Sequence, residues 1–174
     1  EAPVFFQMAQ LKLELALGLG PDPHLMLGCP AHVTDIGRDV GQGCGRLEMW
    51  EYDFGQHVVF GLPEGRLDRG AKSHGWVYAA NAERAVQVKL RHPGENYPKL
   101  YAAGAAAVEL HLYPDAGTRA PATGGARTYQ SLGQRRSGDF DGALQVPQGM
   151  AKTHEIFLYC GPPAPDLVAA AERA

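Results

Sequence analysis

The sequence predicts an all-β chain folded as an antiparallel β-sandwich, and three observations carry that prediction. Apolar residues recur at every second position through several segments. Twenty-two glycines and 13 prolines punctuate the 174 residues between those segments. Only the C-terminal end carries a helical pattern. Residues 4–8 form the first predicted strand. In residues 11–17, Leu11, Leu13, Leu15 and Leu17 alternate with Lys12, Glu14 and Ala16, which is the pattern of a half-buried strand. Gly20-Pro21-Asp22-Pro23 ends it in a turn. The cluster Gly41-Gln42-Gly43-Cys44-Gly45 resembles a phosphate cradle only superficially. No Lys-Ser or Lys-Thr follows it and no helix pattern starts there, so it reads as a flexible turn. Strands follow over residues 45–54 and 57–62, with a turn at Pro63-Glu64-Gly65, and then over residues 76–80.

Val86, Val88 and Leu90 alternate with Gln87, Lys89 and Arg91, and Val108, Leu110 and Leu112 alternate with Glu109, His111 and Tyr113. Between these two strands lies another over residues 99–103. Residues 119–136, rich in Ala, Gly, Thr and Arg, read as a long exposed loop. Its Arg119, Arg127, Arg135 and Arg136 could meet an acidic polymer, although a solvated loop is the plainer reading. Asp139-Phe140-Asp141-Gly142 turns the chain into strands at 142–146 and 153–160. Pro165-Asp166 then opens a short helix through Leu167, Val168 and the alanines that follow. The predicted organisation is one sandwich domain over residues 1–164 and the start of a linker helix over residues 165–174.

With 45% apolar residues and a formal net charge of −3, a single domain of this length buries about 70% of its unfolded surface. Mild acidity without a basic stripe argues against nucleic acid. No apolar run reaches about 18 residues, so no membrane span is predicted. Cys29, Cys44 and Cys160 are odd in number and lack the close spacing of zinc or redox motifs, so no metal site is expected and at most one disulfide. The chain begins at Glu1 with no charged-then-apolar leader, which suggests a trimmed N-terminus. Extracellular and periplasmic settings both fit such a chain, and nothing in the sequence fixes either.

The candidate chemistry centres on Lys152-Thr153-His154-Glu155, three ionisable side chains directly before an apolar run. In a strand over 153–160, Lys152, His154, Ile156, Leu158 and Cys160 would share one face, and Thr153, Glu155, Phe157 and Tyr159 the other. A solvated strand end with a satisfied histidine is the plain alternative. Tyr97 and Lys99 lie in a proline-containing step that should be loop-like and open to ligand. Arg91 and Lys89 occupy the polar face of their strand. Trp76 could stack on a sugar, although burial is the commoner fate of a tryptophan.

Four segments together resemble a known family: "NYPKLY" from Asn96, "VELHLYP" from Val108, "FDGALQVPQG" from Phe140 and "GMAKTHEIFLY" from Gly149. In order and content they are similar to the central region of the exo-rhamnogalacturonan lyases, polysaccharide lyase family 26, which includes the YetA-like proteins. The resemblance covers roughly Gly75 to Gly161, and the first 70 residues carry no such motif. The chain departs from the pattern at His92-Pro93-Gly94-Glu95, where an aromatic pair is expected.

The resemblance implies a central β-sandwich within a multidomain lyase, with the C-terminal helix leading into an α/α toroid beyond this chain. It implies β-elimination on a uronic-acid polysaccharide such as rhamnogalacturonan, with an acidic polysaccharide and the neighbouring domains as partners. A base takes the proton α to the uronic carboxylate while the glycosidic oxygen leaves, and a cation must offset the carboxylate charge. The candidates are His154, Lys152 and Tyr97 for catalysis, and Arg91, Lys99, Trp76 and Glu155 for substrate binding. His154 suits proton transfer because an ordinary imidazole titrates near pH ~6.5. No cofactor is implied for this chain, with calcium a candidate only for the full-length protein, and the domain alone is not expected to be active. A non-catalytic carbohydrate-binding or structural sandwich is the alternative.

Overall fold

The computed structural model describes residues 5–8, 11–16, 18–29, 38–41, 43, 45–53, 56–62, 68–70, 72–93, 99–114, 144–147 and 153–163. Every regular element among them is a strand. In chain order these are β1 (Phe5–Met8), β2 (Leu11–Ala16), β3 (His24–Leu27), β4 (Arg38–Gly41), β5 (Arg46–Asp53), β6 (Gln56–Phe60) and β7 (Asp68–Gly70). They continue with β8 (Trp76–Ala80), β9 (Ala85–Leu90), β10 (Lys99–Gly104), β11 (Ala107–Tyr113), β12 (Leu144–Pro147) and β13 (Ile156–Gly161). A six-stranded sheet runs β2-β11-β10-β5-β6-β7 and a five-stranded sheet runs β13-β9-β8-β3-β4, while β1 and β12 form a separate pair. All pairings are antiparallel.

The two large sheets pack face to face, as period-two alternation requires. Val108 and Leu110 of β11, Tyr101 and Ala103 of β10, and Leu47 and Met49 of β5 line one inner face. Leu25 and Leu27 of β3, Val77 and Ala79 of β8, and Val86, Val88 and Leu90 of β9 line the other, and all belong to one buried cluster. Each Val or Leu buried this way contributes about 1.5–3 kcal/mol. The central strands are buried on both faces: β8 and β10 have no exposed residue. Trp76, Tyr78 and Ala80 form a second cluster behind β8, and Trp50, Val58 and Leu100 a third on the far side of the six-stranded sheet.

Three strands escape the sequence patterns. Four-residue β3 is shorter than the usual signal, and its alternation is legible only once Leu25 and Leu27 are seen facing the core. β4 ends in Gly41, so the first residue of the glycine cluster is strand and not turn. Gly43 does turn the chain, with φ 87° and its N–H donating to Asp22 Oδ1 at 2.6 Å. β7 contains no apolar side chain and is placed by its pairing with β6, His57 opposite Gly70 and Val59 opposite Asp68. The predicted helix at 165–174, the loop at 119–136 and the turns at 63–65 and 139–142 lie outside the described residues.

Gly61 turns the chain after β6 with φ 83°, and a Cβ there would collide with the carbonyl oxygen of Arg46. Left-handed strain and a backbone clash therefore act together. Gly61→Ala should cost at least about 2 kcal/mol, read as a lower midpoint in urea.

Candidate functional site

One end of the sandwich gathers Arg91, His154 and Glu155 of the predicted site. Arg91 follows β9 and Glu155 precedes β13, and the Arg91 N–H donates to the Glu155 carbonyl at 3.0 Å. Arg91 Nη1 also donates to Glu155 Oε2 at 2.7 Å. Both side chains are about half exposed. Next to them, the Leu90 N–H donates to the Gly75 carbonyl at 2.9 Å, and the ring of Pro93 packs where a Cβ on Gly75 would stand. Segments 72–75, 91–93 and 153–155 therefore lie side by side, bringing Lys72, His74, Arg91, His92, His154 and Glu155 to the same rim. His92 adopts φ 52°, an uncommon conformation for a residue other than glycine.

β13 begins at Ile156, so residues 153–155 are an irregular approach to the strand. The predicted alternation of faces therefore holds only from Ile156 onward. His154 is half-buried, and both of its ring nitrogens are withdrawn from solvent. Tyr97 and Lys152 lie outside the described residues.

Two other predicted residues lie deeper than a binding role would need. Trp76 is fully buried, with its indole filling the space a Cβ on Gly28 would take, which leaves no ring face for a sugar. Lys99 is the first residue of β10 and is 0% exposed, so the loop-like setting expected for it is corrected. In phase with Tyr101 and Ala103, its side chain faces the space between the sheets. A lysine buried there cannot reach a surface carboxylate.

Below the rim the interior is polar. Glu51 pairs across β5 and β10 with Lys99 and across β5 and β6 with His57, and it shares the inward face of Leu47 and Met49. Its carboxylate accepts the Ser73 hydroxyl and, at 3.4 Å, the Ser73 N–H. Ser73 Oγ in turn accepts the Gly75 N–H at 3.1 Å. Burial pushes the Glu51 carboxyl up from 4.5 to about 7, against the opposing pull of Ser73, Lys72 and Lys99. Burial, with Glu51 nearby, also raises the Tyr101 phenol well above its ordinary value. The Tyr101 hydroxyl has no hydrogen-bond partner among the described residues. Glu51, His57, Ser73 and Tyr101 are absent from the sequence-predicted set. A signal for Glu51 was present, since a carboxylate in phase with Leu47 and Met49 sits on the apolar face of its strand.

A second charged group lies on the outer face of the six-stranded sheet. Register aligns Glu14, Glu109, Ala102 and Glu48 across four strands. The small Ala102 lets Arg46 reach past β10 to Glu109, with Nη1 to Oε1 at 2.7 Å, while its Nε bonds Glu48 at 3.1 Å. His111 Nε2 lies 2.8 Å from the other Glu109 oxygen. Arg46, and then His111, hold the Glu109 carboxyl down at about 2. A carboxylate so firmly ionised is a fixed anion and not an acid catalyst.

No protein-family model matches the chain, and no curated protein matches it. Among the described residues there is no group of three or more His, Cys, Asp or Glu arranged to hold a metal ion. Cys29 and Cys160 are free thiols, one buried and one exposed.

The Arg91–Glu155 pair is solvated on both sides, so it contributes only about 0–1 kcal/mol to stability. Arg91→Ala should leave the thermal midpoint within about 4 °C of the parent, which a melting curve checks.

Proposed function

We propose that this chain is the central β-sandwich of a multidomain polysaccharide lyase that acts by β-elimination on a uronic-acid polysaccharide such as rhamnogalacturonan, and that it forms one wall of the substrate cleft. The observation that carries the reading is the convergence of Arg91, His154 and Glu155 on one rim together with Lys72, His74 and His92. A uronate needs an accessible cation, and Arg91 is the predicted one that meets the requirement. Because its exposed pairing with Glu155 is weak, a substrate carboxylate can replace Glu155 at little cost and gain a two-pronged contact with the guanidinium. Lys152, Tyr97 and His154 remain the proton-transfer candidates. Hydrogen bonds to charged groups contribute about 1.5–3 kcal/mol, so Arg91→Ala should weaken acidic oligosaccharide binding about tenfold or more.

The burial of Trp76, of Lys99 and of the His154 ring nitrogens favours a second reading, a sandwich module that binds or spaces without chemistry. Titration calorimetry with rhamnogalacturonan and neutral oligosaccharides, alongside unsaturated-product absorbance from the full-length parent, separates the two. Binding that depends on Arg91, with turnover lost in Lys152→Ala or His154→Ala, supports the lyase. Binding with turnover unchanged in both variants supports the module. Absence of any acidic-sugar binding overturns the lyase wall and the binding module alike, and leaves a spacer.

A further inference from the structure

The four edges of the two large sheets are not alike. β2 carries Lys12 and Glu14, and its pairing with β11 slips between His111 and Tyr113. β4 carries Arg38 and Asp39, and its register shifts against β3. β7 is three residues long with Asp68 and Arg69. Charge, bulges and shortness are the devices that keep an edge from pairing with another chain. β13 has none of them: Ile-Phe-Leu-Tyr-Cys-Gly is uncharged and pairs with β9 in unbroken register over six residues. Phe157 is 41% exposed and Leu158 52%.

The hydrogen-bond phase identifies which groups the edge offers. Arg91 N–H donates to the Glu155 carbonyl, whereas Leu90 N–H turns the other way, to Gly75 on the β8 side. Antiparallel pairs alternate, so Phe157 and Tyr159 bond to β9, while Ile156, Leu158 and Cys160 direct their N–H and C=O groups to the outer edge, where no strand lies among the described residues.

We infer that β13 is a self-association edge, which pairs antiparallel with β13 of a second copy about a twofold axis through Leu158. Leu158 then faces its own counterpart, and Ile156 faces Cys160 of the partner subunit, joining two five-stranded sheets into one. A second copy suits this strand because an uncharged edge meets itself without like-charge repulsion. Glu155 and its counterpart would stand about 20 Å apart along the strands at ~3.3 Å per residue, beyond the screening length of about 8 Å. Pro162 closes the ladder just past the last paired residue.

Sedimentation velocity over a concentration series of the 174-residue chain should show a monomer–dimer equilibrium. Leu158→Lys sets two ammonium groups opposite each other at the axis and should raise the dissociation constant at least about tenfold, with the far-ultraviolet circular dichroism unchanged. Hydrogen exchange on the unmodified chain gives an independent reading: the Ile156, Leu158 and Cys160 amides should slow as concentration rises, while those of Phe157 and Tyr159 stay constant. A chain that remains monomeric at its solubility limit with those three amides exchanging freely overturns the inference, as does a dimer that Leu158→Lys leaves intact.

Discussion

Glu51→Gln should flatten the dependence of folding stability on pH between 4.5 and about 7, and should leave the variant the more stable protein above that window. The folded-state carboxyl titrates at about 7 against an ordinary value of 4.5 because burial penalises its charge. A value raised in the folded state stabilises fully below the unfolded value, and that stability is lost as pH rises through the folded one. The difference corresponds to roughly 3 kcal/mol, an upper bound reached above pH 7. Glutamine keeps the shape and can accept the Ser73 hydroxyl, but it carries no charge to bury. The groups facing Glu51 are Ser73, Lys72, Lys99, Tyr101 and, across the register, His57. Urea midpoints of parent and variant across the window check this directly. A parent whose stability is as flat as the variant's across the window would mean that Lys99 and its neighbours hold Glu51 ionised.

Trp76→Ala should cost about 3–5 kcal/mol, the range for truncating a large buried aromatic, and should lower the melting temperature more than any rim substitution. The indole is fully buried against Gly28, with Tyr78 and Ala80 in the same cluster. Trp76→Phe keeps most of the apolar contact and should lose clearly less. If Trp76 were instead a sugar platform, Trp76→Ala would impair binding and leave the melting temperature nearly unchanged. Calorimetric melting together with an oligosaccharide titration distinguishes the two.

The sequence makes the sandwich legible wherever polar side chains alternate with apolar ones. β2, β9 and β11 alternate cleanly, and the structure finds each within a residue or two of the predicted span. β8 and β10 are buried on both faces, so Trp76-Val77-Tyr78-Ala79-Ala80 reads as a continuous apolar run whose inward side the sequence cannot assign. β7 is invisible because Asp68-Arg69-Gly70 offers no apolar residue to set a period, and its existence depends on pairing with β6. At the rim, Arg91 and Glu155 are 64 residues apart and the structure joins them, a pairing that no local spacing announces. Lys99 was misleading for a physical reason: a proline one residue before it signals irregular chain, yet it is the residue that starts β10. Glu51 shows the converse, a carboxylate whose strand phase already marked it as interior.

The central claim is that an acidic polysaccharide meets this domain at the rim formed by segments 72–75, 91–93 and 153–155. A residue-resolved nuclear magnetic resonance titration with rhamnogalacturonan oligosaccharides tests it most directly. The account predicts shifts at His74, Arg91, His92, His154 and Glu155, with Glu14 and Glu109 on the outer sheet face unmoved. Shifts confined to that outer face, or none at saturating sugar, would contradict it.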